Sequence, residues 1–280
     1  MKKIILILII LFLNTTTVGA FNCLYNCVEP YDLSNGFSRF MSGLTGSNLL
    51  AEKVAKSILN KEIKKNIQGD FTLKVNSYSV KDLKKGIFKS FKFKGKNIDI
   101  DGIKFSKLNV KTICDFNYVA QDADKNLVFK EDLPLSFSAV LTEDDLNSTM
   151  LTDEYEKLIK KINYRAKGFF SIKTSKLKIK DNKLYFILQV SLPFVKNVQD
   201  VVITSNLKVY KGDIDFAETR LVNKKISIDI KKIDKIVNYL NPLDFSLNIL
   251  ENKNAVLTVQ NVEIKHDKIY ANGMVVWLKD

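Results

Sequence analysis

The chain of 280 residues holds one histidine, His266, and three arginines, Arg39, Arg165 and Arg220. The histidine falls at a polar turn, where it serves as solvated filler, so no Ser-His-Asp arrangement and no histidine-rich metal site can be assembled. A nucleophile elbow and a Gly-rich phosphate loop are also missing. The formal charge of +13 comes from 44 Lys+Arg against 31 Asp+Glu. With so few arginines it is almost pure lysine, which weakens any nucleic-acid reading, because bidentate phosphate and base contacts favour the arginine fork. The basic-aromatic run from Phe88 to Lys96 resembles a stacking platform for single strands. Its alternation, with Phe91 and Phe93 on one face and lysines on the other, is what a half-buried strand requires in any case.

The chain also lacks a long apolar run. Ile4 to Leu13 is continuous but only ten residues long, short of the roughly 20 that span a bilayer. Preceded by Met1-Lys2-Lys3 and followed by small residues with Val18-x-Ala20, it reads as a secretory signal cleaved near Ala20, with retention as a membrane anchor the alternative. The expected location is therefore outside the cytosol, in a periplasm or cell envelope. Phe21 and Asn22 before Cys23 argue against a lipidation site. Cys23 and Cys27 lie four residues apart in what would be an oxidising compartment, and their pairing is the expected disulfide. Cys114, inside a strand-like run, is expected to be a buried small hydrophobe.

What the chain has in abundance is alternation. Four segments, 98–105, 177–186, 207–216 and 262–271, each read as two apolar/polar runs joined by a two-residue turn: Asp101-Gly102, Asp181-Asn182, Lys211-Gly212 and His266-Asp267. Such turns favour residues at positive φ and match the twist of antiparallel strands. Folding about them pairs Ile100 with Ile103, Ile179 with Leu184, Val209 with Ile214 and Ile264 with Ile269. One sheet face is thus dry, the other rich in Lys, Asp and Glu.

Helices are few. Leu50, Val54, Ile58, Leu59, Ile63 and Ile67 lie at helical spacing; Thr142-Glu-Asp-Asp145 opens a second helical region; a short third runs over about 231–240 before Asn241-Pro242. The expected division is a signal peptide over 1–20, a flexible linker over 21–47, and one α+β domain over 48–280. Asp122, Asp124 and the cluster Glu143-Asp-Asp145 read as a surface turn and a helix start. Asn147-Ser-Thr149 matches a glycosylation acceptor by coincidence of a helix start.

From Ala51-Glu52 onward the features resemble the LmeA-like phospholipid-binding family of bacterial envelopes. The resemblance rests on Gly86-Ile-Phe-Lys-Ser-Phe-Lys-Phe-Lys-Gly95, on the segment 97–110, on Leu141-Thr-Glu-Asp-Asp-Leu-Asn147 and on Leu240-Asn-Pro-Leu-Asp-Phe245. It implies an exported, non-enzymatic phospholipid binder with a long, strongly curved antiparallel sheet wrapped around an N-terminal helix, similar to tubular lipid-binding modules. It supplies no headgroup residues.

The residue pattern leads the same way, since a dry sheet face with little helical cover leaves an apolar groove for acyl chains. Alternation directs Leu73, Val75, Phe91, Phe93, Phe137, Phe170, Phe186 and Leu188 inward, with Val54, Ile58 and Leu59 opposite, as the expected lipid-contacting set. The expected partners are a phospholipid or other acyl-chain lipid and, transiently, an anionic membrane surface, with no nucleic acid, metal or cofactor. Two competitors are a structural or interaction protein of the envelope with a fully packed sheet, and a hydrolase using an Asp/Glu pair.

Overall fold

The computed structural model describes residues 25–44, 47–65, 67–121, 127–166, 168–193, 195–222, 230–250 and 254–280. The expected signal segment and Cys23 lie outside them, as do Asp122 and Asp124. Helices α1 (Gly36–Leu44) and α2 (Ser47–Ile63) lead into β1 (Ile67–Asn76), then α3 (Val80–Lys85) and strands β2 (Ile87–Phe88), β3 (Ser90–Ile100), β4 (Ile103–Thr112), β5 (Asn117–Gln121), β6 (Leu127–Phe129) and β7 (Leu133–Leu141). Two helices follow, α4 (Glu143–Thr149) and α5 (Asp153–Arg165), and then β8 (Ser171–Lys180), β9 (Lys183–Ser191), β10 (Gln199–Tyr210) and β11 (Asp213–Leu221). The chain closes with α6 (Ile230–Tyr239), α7 (Pro242–Leu247), a short 3-10 turn, and β12 (Ala255–Lys265) and β13 (Lys268–Trp277).

All four expected hairpins form. Asp101, Asp181, Asn182, Lys211, His266 and Asp267 take φ between 50° and 55°, with Gly102 at 86° and Gly212 at 92°. The cross-strand pairs are those the alternation dictates: Ile100 with Ile103, Ile179 with Leu184, Val209 with Ile214, Ile264 with Ile269. The capping box at Thr142 also forms, with Asp145 returning a bond to the Thr142 N–H at 2.9 Å.

The strands assemble into three antiparallel sheets, ordered β1-β3-β4-β7-β13-β12, β11-β10-β9-β8 and β2-β5-β6. Among the described residues no sheet is strongly curled or closed. This corrects the expected long, strongly curved sheet around an N-terminal helix. The physical reason is the placement of helices between hairpins. Helices α4 and α5 separate β7 from β8, and α6 and α7 separate β11 from β12, and β8–β11 form a sheet of their own. Helix α2 rests beside β1, an edge strand, and buries Ile63 there.

Helix α4 bridges the two larger sheets, touching β4 on one side and β8 on the other, while α6 and α7 lie on β11. Where β12 meets the β10–β11 turn, the Val259 N–H donates to the Gly212 carbonyl at 2.7 Å. The inward side chains of both sheets share one continuous core, including Phe93, Phe105, Leu135, Phe186 and Trp277.

Residues 25–35, expected within a linker, are strapped to the body. Cys27 is disulfide-bonded to Cys114, which corrects the expected Cys23–Cys27 pair and gives the buried Cys114 a covalent role. The spacing of Cys23 and Cys27 was a local cue, whereas the bond that forms depends on which strand end the strap reaches. Tyr25 donates to Asp132 and Tyr31 to Glu131, both at 2.8 Å, and Lys85 pairs with Asp32 at 2.6 Å. Ser34 donates its N–H and hydroxyl to the buried Asp82 carboxylate at 2.6 and 2.9 Å.

Candidate functional site

The site forms where α5 ends. Gly168 at φ 90° turns the chain so that the N–H groups of Phe169 and Phe170 both reach back to the Ala166 carbonyl. The turn is fixed from the other side by Asn163, whose side chain donates to the Ile172 carbonyl at 2.9 Å and accepts from its N–H at 2.7 Å. The start of β8 is thereby pinned to α5.

Beneath this turn lies the inner face of the four-stranded sheet, whose Leu188, Val190 and Ile203 are buried. A cavity of about 230 Å³ lies among Phe169, Phe170, Leu188, Val190, Ile203 and Ile236, from the turn, β9, β10 and α6. Its lining is almost wholly apolar. Phe169 borders it and is 77% exposed.

A second cavity of about 390 Å³ adjoins it, sharing Phe170 and Ile236, and is bordered by Lys161, Arg165, Lys235 and Tyr239. The Lys161 ammonium lies 5.9 Å from the centre of the Tyr239 ring. Among the described residues Lys161, Arg165 and Lys235 form no ion pair. The two cavities share Phe170 and Ile236 as walls, one of them an apolar slot and the other bordered by three cationic side chains.

Of the expected lipid-contacting set, only Phe170 and Leu188 line this slot. Leu73, Val75, Phe91, Phe93, Phe137 and Phe186 point inward as alternation requires, but they are sealed in the packed core. Leu59 packs partly buried against that core. The side chains of Val54 and Ile58 lie outside the described residues. Alternation reports the inward direction of a side chain and carries no information on whether the opposite layer fills the space above it.

The residues missed by sequence reasoning are Phe169, Val190, Ile203 and Ile236, with Lys161, Arg165 and Lys235 at the rim. One signal was available: Gly168-Phe-Phe170 places two adjacent aromatics after a helix, and a strand can bury only one of two neighbours on a single face.

Other candidate groups have structural roles. Asp145 belongs to the capping box and also accepts from the Ser106 N–H and hydroxyl. Glu143 accepts the Ile179 N–H at 2.9 Å, and Asn147 clamps both the N–H and carbonyl of Leu177 at 2.9 Å. These three side chains tie α4 to β4 and β8. His266 sits exposed in its hairpin turn. Among the described residues no three His, Cys, Asp or Glu converge as a metal site, and no helix is long and apolar enough to cross a membrane. The chain matches no family model, no curated protein and no solved structure.

Proposed function

We propose that the protein is an exported binder of a phospholipid or other acyl-chain lipid, serving lipid transport or maintenance in a cell envelope. One observation carries this reading: the apolar slot between β9, β10 and α6 shares the walls Phe170 and Ile236 with a cavity bordered by Lys161, Arg165 and Lys235. An acyl chain gains about 0.8 kcal/mol per buried methylene, so a segment of about six supplies roughly 5 kcal/mol before ordering costs. A carboxylate or phosphate at the chain's end meets the three cations. Export agrees with the Cys27–Cys114 bond, since disulfides persist in oxidising compartments. The resemblance to LmeA-like proteins supports the same class of ligand through a different geometry, without the strongly curved sheet that family implies. The excess of basic residues favours transient docking on anionic membranes.

A second reading has its own support: most of the expected lipid-contacting residues are packed shut, as in a structural or interaction protein of the envelope. Displacement of a fluorescent fatty acid separates the two. Ile236→Trp, which fills the slot, is expected to weaken binding at least about tenfold, and Lys161→Gln with Arg165→Gln to weaken it several-fold for anionic but not neutral ligands. Binding that is absent in the wild type, or indifferent to Ile236→Trp, favours the packed structural protein.

A further inference from the structure

The outer face of the six-stranded sheet carries a feature that neither its fold nor the lipid slot uses. Strand β1 turns Asp70, Thr72 and Lys74 outward, alternating with Phe71, Leu73 and Val75. The strand register sets Lys74 opposite Lys92 and Lys92 opposite Lys111. In the next row Thr72 faces Lys94 and Lys94 faces Asn109; in the third, Asp70 faces Lys96 and Lys96 faces Lys107. Six lysines thus occupy a three-by-three patch with a single carboxylate.

Like charges directly opposite one another on neighbouring strands destabilise a sheet. Among the described residues none of the six lysines forms an ion pair. Burial, and then the neighbouring Lys92, hold the Lys111 ammonium below its usual range. Among the described residues the one carboxylate set within the patch is Asp70, opposite Lys96.

Within the patch is a cavity of about 450 Å³, bordered by Asp70, Thr72, Lys94, Lys96, Lys107 and Asn109. Asn109 is only 4% exposed; its Nδ2 donates to the Ser138 hydroxyl at 3.3 Å, and its buried Oδ1 has no hydrogen-bond partner among the described residues. A buried acceptor left unpaired is costly and calls for a donor. The lysines call for an anion, which they hold as point charges.

We propose that this cavity binds a phosphorylated polyol. The phosphate sits between Lys94, Lys96 and Lys107, and a hydroxyl of the same molecule donates to Asn109 Oδ1, with Asp70 as a second acceptor. A bare anion leaves the Asn109 oxygen unpaired, and a neutral polyol leaves the lysines uncompensated, so the two halves of the site select a molecule bearing both groups. Such a group occurs on free glycerol phosphate and on the phosphatidylglycerol headgroup.

Titrations of the full chain with inorganic phosphate, glycerol 1-phosphate and glycerol, read by NMR shifts or calorimetry, test the assignment. Glycerol 1-phosphate is expected to bind more tightly than phosphate, and glycerol not at all. Lys94→Gln with Lys107→Gln is expected to weaken both phosphates about tenfold or more. Asn109→Leu, or Asn109→Ser should the first misfold, is expected to erase the preference for glycerol 1-phosphate over phosphate. The lysine double variant is expected to melt no lower than the wild type, since it relieves repulsion. Flotation with phosphatidylglycerol against phosphatidylcholine vesicles distinguishes the sources. Lysine-dependent flotation with the former identifies the headgroup, and soluble binding alone identifies the free polyol phosphate. The proposal is overturned if neither phosphate binds, if the control Lys178→Gln with Lys180→Gln weakens binding equally, or if the preference survives substitution of Asn109.

Discussion

Asp244 shows how a single carboxylate registers its surroundings. It stands in the first turn of α7, where burial, followed by the nearby Asp213, raises its pKa above the usual value, while bonds from the Ile214 backbone and Asn248 oppose the shift. A raised folded-state pKa means that the protonated form is favoured by folding. The associated stability is fully present below the unfolded carboxylate pKa and is lost as pH rises through the folded value. At neutral pH the ionised Asp244 therefore weakens the fold. Asp244→Asn is expected to raise the melting temperature at pH 7 by a small amount, since the group is partly exposed and screened, with the gain vanishing as pH falls into the carboxylate range. Melting curves of both forms across pH 3–8 check the sign; a gain independent of pH, or a loss at pH 7, contradicts it.

At the scale of elements, the four hairpins were legible because their information is local. A two-residue turn at positive φ and an alternating pair of arms specify register without reference to the rest of the chain. The strap of residues 25–35 was not legible, because its restraints come from far away. The partners of Tyr25, Tyr31 and Ser34 are Asp132, Glu131 and Asp82, and Cys27 joins Cys114 across 87 positions of sequence. Closing a loop of that length removes unfolded-state entropy equivalent to about 4–5 kcal/mol in the chain-entropy model. Cys27→Ser with Cys114→Ser is expected to lower stability by about 2–5 kcal/mol in denaturant unfolding. Reduction of the wild type should produce a similar loss. An unchanged midpoint in both experiments would show that the strap contributes nothing to the fold.

For the whole molecule, sequence reasoning identified an α+β protein built on antiparallel hairpins and the inward direction of its aromatics. It did not show how the strands divide among three sheets, because the split depends on helices α4 to α7 interrupting the hydrogen-bonded ladders. Nor did it locate the open space. Phe91, Phe93 and Phe186 have the same local pattern as Leu188, yet the first three are covered by other side chains and Leu188 borders a void, a difference set by the layer packed above. The lipid reading therefore rests on the slot beside Phe169 and Ile236 rather than on the sheet as a whole. Native mass spectrometry of the full chain, purified without detergent and then incubated with phospholipid vesicles, tests that claim most directly. The expected spectrum contains protein carrying one lipid, and that species is lost in Ile236→Trp while Phe91→Leu, a conservative change in the sealed core, retains it; a spectrum of bare protein in every case would contradict the reading.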